Sequence, residues 1–337
     1  MVEDSKDTRS DNERAKKILL RVFRHESTVL GLVLAAVIGV VALITRGVSV
    51  SRTNIVNTLM QTSIRGVAAV GQTFVILTAG IDLSVGGVGL FGSVIGASVM
   101  TTSLRQNIAG ETLPIGIGIF LILLATAGLG TLNGLSVSRV GLPPLIATLA
   151  MWQIAKGLGF KICHGLTIHR LPDSLSFWGS GIIGGFPVAA IVFVVVAVVS
   201  YFVLEYTRYG RSIFAVGGNP TSAWLSGLNV KNTTMSAYIV SGLLAGIAGV
   251  IFTGRILCAS METLTNLEID SIIGASLGGV SLAGGKGNII SVVIGVLILG
   301  VINNALSLMG ASPAIQGIAK GTIIFAAVTV DVVRRNR

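Results

Sequence analysis

The sequence predicts an all-α integral membrane protein with about ten transmembrane helices, some of them short or broken. Three observations lead to this fold class. Of the 337 residues, 52% are hydrophobic and only 11% are charged, whereas a soluble domain carries about 25% charged residues. The 44 glycines suit the close helix crossings of membrane proteins. Apolar runs also recur at the length of roughly 20 residues that a spanning helix needs.

The first 26 residues are polar and predict a cytoplasmic tail ahead of a transmembrane domain at 27–337. They contain both basic and acidic side chains in similar numbers. The apolar run that follows is long and lacks the small-residue exit of a cleavable signal, so we expect it to stay in the chain. Residues 14–24 could form an amphipathic helix on anionic lipid, but a solvated flank is the favoured interpretation.

Ten apolar segments are candidate membrane spans, and the third and eighth are short enough to be half-spans or strongly tilted helices. With the N terminus inside, most Lys and Arg residues fall in the cytoplasmic segments, which favours both termini in the cytoplasm. The net charge of +10 therefore reflects membrane orientation, and we expect no nucleic-acid partner. The segments are 27–45, 55–79, 85–101, 113–135, 142–160, 186–204, 233–254, 269–283, 289–309 and 313–332.

Five crossings in each half would suit a pair of inverted five-helix repeats. The sequence LTAG at 77–80 precedes one glycine-rich span, and LAGG at 282–285 precedes another. The two breaks agree in position only to within one span, so the repeat remains a hypothesis.

A polar break between the second and third spans predicts a translocation pathway. The first run ends at Gly80, and Asp82 and Ser84 follow before the next run begins. Irregular backbone at membrane depth is tolerated only where protein buries it or where it lines a watery cavity, and transporters place their binding sites at broken helices. The predicted pathway or gate residues, which include two amides of a later span, are Gln72, Gly80, Asp82, Ser84, Asn303 and Asn304.

Asp82 itself has two interpretations. It is either a pathway residue, because charges within membranes usually face a cavity or a partner, or the N-cap of a helix that starts near Ser84. The cap is favoured, and both roles are compatible. Arg65 in the preceding span is a candidate ionic partner, whereas Lys156 and Lys320 are expected to extend toward an interface.

The long inside loop at 205–232 predicts a short helix at 220–226 on the cytoplasmic face. Asn219 suits the N-cap, Pro220 the first helical position, and Gly227 the left-handed residue that ends a helix. The helix carries Trp224 and Leu225. Exposed apolar side chains of this kind indicate a docking surface for another protein, or else an anchor in the membrane interface.

No catalytic or metal-binding pattern is found in the sequence. A P-loop needs a glycine five positions before its Gly-Lys-Ser/Thr, but Val280 occupies that position before Gly285, and Gly287 follows Lys286. The two cysteines and three histidines lack metal-ligand spacing. We therefore expect no enzyme activity and no bound metal.

Three motifs occur in order: GIDLSVG at 80–86, the loop residues 210–219 with 225–227, and LGGVSLAGGKG at 277–287. Together they resemble the membrane permease subunit of bacterial ribose-type (monosaccharide) ABC importers, over nearly the whole chain from about residue 30. The resemblance implies an inner-membrane protein that forms the pathway for a small sugar. Which sugar it carries is left open.

The resemblance also implies partners: a second permease subunit, identical or paralogous, a cytoplasmic ABC ATPase that binds ATP and Mg²⁺, and an extracytoplasmic sugar-binding protein. The inside loop would then supply the helix that couples to the ATPase, far from the break at Asp82. The alternatives are an ion-coupled secondary carrier and an ABC permease for a non-sugar such as a nucleoside. The predicted coupling residues are Gly218, Asn219, Pro220, Trp224, Leu225 and Gly227.

Overall fold

The computed structural model describes residues 26–262 and 266–335, and almost all of the polar tail predicted at 1–26 lies outside the described residues. Helices dominate the described part. A small antiparallel hairpin pairs β1 (Ile182–Ile183) with β2 (Phe186–Pro187). The predicted all-helical architecture is therefore confirmed for the described chain, with this hairpin as a minor addition in a loop.

The helices are given in chain order with their bounds. They are α1 (Glu26–Ile44), α2 (Arg52–Leu77), α3 (Val85–Met100), α4 (Ile115–Leu135), α5 (Pro144–Cys163), α6 (Ser176–Ser180), α7 (Val188–Tyr206), α8 (Arg208–Gly218), α9 (Pro220–Leu225), α10 (Val230–Ile256), α11 (Leu267–Leu277), α12 (Ile289–Leu308) and α13 (Pro313–Arg335). Short 3-10 turns occupy Val48–Val50 and Asp173–Leu175, and a π-helical turn, Ser136–Val140, extends α4.

Six helices of the described chain are long and apolar enough to cross a membrane: α1, α4, α7, α10, α12 and α13. The apolar helix α3 has only 16 residues. The helix of the eighth predicted span is shorter than its segment at 269–283, because α11 ends at Leu277. Gly279 then takes a left-handed φ of +77°, a conformation that glycine adopts without a steric penalty.

Helix α2 forms the centre of the molecule and is buried along most of its length. It packs against α7, α10, α11 and α12, while α10 packs against α2, α3 and α4. Each of these two long helices thus contacts the short helix that follows the other one in the chain. A helix surrounded by protein can carry polar residues, which explains why α2 is less apolar than its neighbours.

Small residues let α10 approach α4 closely, as the abundance of glycine in the sequence predicts. A Cβ added at Gly130 would lie 2.6 Å from the carbonyl oxygen of Tyr238. One added at Gly242 would overlap the carbonyl oxygen of Thr126. The two backbones therefore touch, and larger residues at these positions would force the helices apart.

Candidate functional site

Helix α9 has the caps that the sequence predicts. The Asn219 side chain accepts a hydrogen bond from the Ser222 N–H at 2.9 Å, and Pro220 is the first helical residue. Gly227 has a φ of +82°, and the helix ends at Leu225, one residue before the predicted end. These local bonds satisfy backbone groups that would otherwise remain unpaired at the helix ends.

Helix α9 presents apolar side chains to its surroundings. Trp224 is 67% exposed and Leu225 is 73% exposed, while Ala223 faces inward and is buried. A shallow depression of about 700 Å³ lies beside the helix, and Trp224, Leu228 and Lys231 contribute to its lining. Exposed apolar side chains beside a depression are typical of a protein-docking site.

Helix α8 leads the chain from the end of α7 to α9 and buries one face. Thr207 caps it by accepting from the Gly210 N–H at 3.2 Å. Ile213 and Val216 are buried, whereas Arg208 and Arg211 are exposed. This amphipathic helix anchors the start of α9 against the body of the molecule.

The end of α8 fits tightly against two other segments. The Gly285 N–H donates to the Leu77 carbonyl oxygen at 3.0 Å. A Cβ at Gly217 would overlap the same carbonyl oxygen, and one at Gly284 would lie 2.7 Å from the Ala79 nitrogen. Glycine is thus required for close approach here. We call this contact the glycine junction; it comprises Leu77, Ala79, Gly217, Gly218, Gly284 and Gly285.

The glycine junction corrects the expectation that the coupling loop lies far from the break at Asp82. Two of the motifs that carry the family resemblance meet in it, at the end of α8 and in the loop between α11 and α12, and both contact residues 77–79, which directly precede the third motif at 80–86. Neither the hydrophobic periodicity nor the capping residues of the sequence predict this contact. The glycine pairs at 217–218 and 284–285, in two of the three segments, were the available signal, because close backbone approach demands them.

Asp82 is buried and held entirely by neutral donors. One carboxylate oxygen accepts from the Ser84 N–H at 2.8 Å and from the Ser84 hydroxyl at 2.6 Å. The other accepts from the Ser241 hydroxyl at 2.8 Å. Asn133 in turn donates to the Ser84 hydroxyl at 2.7 Å. The carboxylate thus fixes the turn that leads into α3, but Ser84 rather than Asp82 is the N-cap residue of that helix, so Asp82 braces the turn from two residues before the cap.

Gln72 completes this cluster from the preceding helix. With its amide oriented to satisfy both groups, it donates to the Asp82 carbonyl and accepts from the Asp82 N–H, each at 3.0 Å. Gly80 adjoins the same turn, where an added Cβ would meet the Tyr238 hydroxyl oxygen at 2.6 Å. Gln72, Gly80, Asp82 and Ser84 therefore form one site, whose role in a pathway stays a prediction.

Asn303 and Asn304 lie apart from this cluster. Asn304 and Asn54 bond reciprocally through their amides at 2.9 and 3.0 Å, which joins the end of α12 to the start of α2. Asn303 is buried, with both amide atoms unpaired among the described residues. Because α2 has 26 residues, this end lies about 39 Å along the helix axis from the Asp82 end. The six predicted pathway residues thus occupy two regions.

Arg65, the candidate ionic partner of Asp82, binds Asp270 instead, so that prediction is wrong. The Arg65 Nε donates to Asp270 at 2.8 Å. Lys320, expected to extend toward an interface, binds the same carboxylate at 2.7 Å. The sequence reasoning missed this cluster. Its signal was the presence of opposite charges in three separate apolar segments, since charges within membranes pair with one another.

Comparisons with known proteins give similarity over most of the chain. Residues 54–328 match the family described as branched-chain amino acid transport system / permease component. The ribose import permease protein of Bacillus subtilis is 37% identical over 82% of this chain and 84% of the relative. The D-allose transport system permease protein of Escherichia coli is 34% identical, covering 89% of each. The fructose import permease protein of Rhizobium meliloti is 34% identical over 98% and 93%. No solved structure matches the chain.

Proposed function

The chain belongs to the permease family of the branched-chain amino acid transport system, and on that premise we propose that it is the transmembrane permease subunit of an ATP-driven sugar importer. The family description names amino acids, but the similar proteins cited above are permeases for ribose, D-allose and fructose. A monosaccharide is what these cargoes have in common. The binding protein outside the cell would deliver it, and this chain would form the pathway.

The single observation that carries the coupling role is the capped helix α9 with its exposed apolar side chains. Trp224 and Leu225 are too exposed to belong to the core, and the depression beside them offers space for a partner's residues. The proposed partner is a cytoplasmic ATPase, which would bind ATP and Mg²⁺. The residues assigned to this contact are Gly218, Asn219, Pro220, Trp224, Leu225 and Gly227.

The glycine junction would carry movement of α9 into the membrane domain. Its backbone contacts join α8 directly to the end of α2, and the next residues form the turn fixed by Asp82. Densely packed backbone transmits displacement because it has no free space to absorb it. The proposed pathway residues Gln72, Gly80, Asp82 and Ser84 lie on the far side of that contact.

The proposed assembly contains two permease subunits, identical or paralogous, two ATPases and the binding protein, in a bacterial inner membrane. Ten crossings with both termini in the cytoplasm would use α1 to α5, α7 and α10 to α13. The reciprocal packing supports inverted repeats: α2 contacts α11 and α12, while α10 contacts α3 and α4. Each half would thus supply one long central helix and one short one.

Substitution of the docking side chain tests the coupling role. Trp224→Ala should uncouple ATP hydrolysis from sugar uptake in reconstituted importer while the protein remains in the membrane, since the side chain makes little contact within its own chain. Gly227→Pro should act similarly by distorting the end of α9. Trp178→Ala is a matched control, because Trp178 is also partly exposed but belongs to α6.

Purification from native membrane tests the class of transporter. We expect a P-loop ATPase to accompany the chain. Sugar uptake into liposomes by the chain alone, driven by a sodium or proton gradient, would instead establish an ion-coupled carrier. Normal coupled uptake by both α9 variants would contradict the assignment of α9.

A further inference from the structure

A cavity of about 460 Å³ opens between α2, α10, α11 and α13. It lies at the end of α10 opposite to α9, and the 27 residues of α10 separate the two ends by about 40 Å. Its volume falls in the range of roughly 300–1,000 Å³ that small-molecule sites occupy. The polar and aromatic side chains on its wall are Gln61, Arg65, Phe252, Arg255, Asn266, Asp270, Gln316 and Lys320.

The carboxylate of Asp270 is held in this wall by two cations. Arg65 reaches it from α2 and Lys320 from α13, at 2.8 and 2.7 Å. Asp270 is buried, so the three charges hold three helices in a set arrangement around the cavity. A ligand that enters therefore meets side chains already locked in position, which reduces the entropy lost on binding.

On the wall of this cavity, the Arg255 side chain has a hydrogen-bond donor without a partner in the described chain. Its Nη1 atom is buried and has no hydrogen-bond partner among the described residues, and no described acidic side chain forms an ion pair with it. A guanidinium carries five N–H donors, and a buried donor without an acceptor costs free energy. Arg255 also lines the cavity, so a ligand bound there can accept hydrogen bonds from the part of the guanidinium that faces it.

We propose that this cavity is a cargo-binding site, and that the cargo is an uncharged, hydroxyl-rich molecule of monosaccharide size; the inference rests on the function proposed above. Cargo hydroxyls would accept from Arg255 and donate to the Asp270 carboxylate. The amides of Gln61 and Gln316 can serve either role. Phe252 supplies an apolar wall for the carbon face of a sugar.

An uncharged cargo fits the ion pairs better than an acidic one. A carboxylate or phosphate on the cargo could pair with Arg255, but it would also compete with Asp270 for Arg65 and Lys320, whose contacts hold three helices together. A hydroxyl can bind to Arg255 and leave again without disturbing those pairs. Passage through a transporter requires binding of this readily reversible kind.

Variants of Arg255 test the proposal in the complete importer. Because Arg255 forms no hydrogen bond or ion pair with a described residue, its replacement by an unbranched side chain such as Met removes no polar contact within the fold. Arg255→Met should lower ATP-driven uptake by about tenfold, the loss expected for one hydrogen bond to a charged group, and Arg255→Gln should restore part of it by retaining donors. Arg105→Gln, on an exposed loop, is the matched control. Wild-type uptake by Arg255→Met would overturn the proposal.

Cysteine protection locates the cargo without requiring the ATPase. We would place Gln316→Cys, and separately Gln61→Cys, in a background carrying Cys163→Ala and Cys258→Ala, and label each with a charged methanethiosulfonate reagent. Ribose, D-allose or fructose at millimolar concentration should slow labelling at both positions, but not at Thr221→Cys on α9. No protection by any of the three sugars would overturn the proposal, as would protection by D-ribonate alone.

The two failures are distinguishable. If no ATPase accompanies the chain and Trp224→Ala does not uncouple, the proposed function fails. If the ATPase assembles and Trp224→Ala uncouples, but the Arg255 variants transport normally and the cysteines remain unprotected, only the cavity assignment fails.

Discussion

Two buried carboxylates lie at the beginnings of α3 and α11, and they are stabilised in opposite ways. Asp82, ahead of α3, is 2% exposed and accepts hydrogen bonds from neutral hydroxyl and backbone donors. Asp270, in the first turns of α11, is 3% exposed and is paired with two cations. Asp82 organises a turn, whereas Asp270 links three helices and borders a cavity. The difference teaches that an acidic residue's position at the start of a short helix does not reveal its role.

The largest expected effect is the loss of the Asp270 charge. Asp270→Asn would leave Arg65 and Lys320 without a full counter-charge, and breaking such a buried pair costs about 3–5 kcal/mol. We expect a strongly lowered Tm in detergent and less protein in the membrane. The double variant Asp270→Asn/Lys320→Met should recover part of the loss, because it leaves one fewer unpaired cation. A Tm unchanged in the single variant would refute the structural part of the comparison.

The matched change at Asp82 should be much milder. An asparagine there can still accept from Ser84 through its oxygen, and its amide can donate to the Ser241 hydroxyl. One altered hydrogen bond corresponds to about 1 kcal/mol, so we expect a small shift in Tm and nearly full uptake for Asp82→Asn. Complete loss of uptake from a stably folded variant would show that the carboxylate itself acts in transport.

The smallest effect should come from a polar contact that has no charge. Asn304→Ala removes the reciprocal amide pair with Asn54. A hydrogen-bonded pair of side chains between membrane helices contributes about 0.6 kcal/mol on average in double-mutant cycles, so we expect a Tm shift below that of Asp82→Asn and unchanged uptake. Asn303→Ala on the same helix is the companion measurement, since Asn303 has no described partner to lose. A greater loss from Asn304→Ala than from Asp82→Asn would reverse the expected order.

Much of the local structure could be predicted from the sequence. Each of the ten apolar segments contains a helix, and α9 has its predicted caps at Asn219 and Gly227. These features depend on residues close together in the chain. The early end of α11 was not predicted, because the apolar run continues past Leu277 and only the left-handed Gly279 interrupts it.

The long-range contacts could not be predicted in the same way. Arg65 and Asp270 are separated by 205 positions, and their meeting depends on the rotation and depth of α2 and α11. Periodicity does not define the rotation of a helix that protein surrounds on all sides, so the acidic residue nearest in sequence, Asp82, appeared the natural partner of Arg65. The three segments of the glycine junction were recognised separately, but their contact is a property of the assembled fold.

The glycine junction also limits how much of the docking segment could be exchanged for that of another permease. Three backbone segments are in direct contact there. The end of α2, the end of α8 and the loop after α11 can therefore change shape only together. An engineer who wished to give this permease another ATPase could replace the exposed segment from Asn219 to Gly227. A graft extended back through Gly217 would need matching replacements at residues 77–79 and 284–285, so the transplantable unit ends where the junction begins.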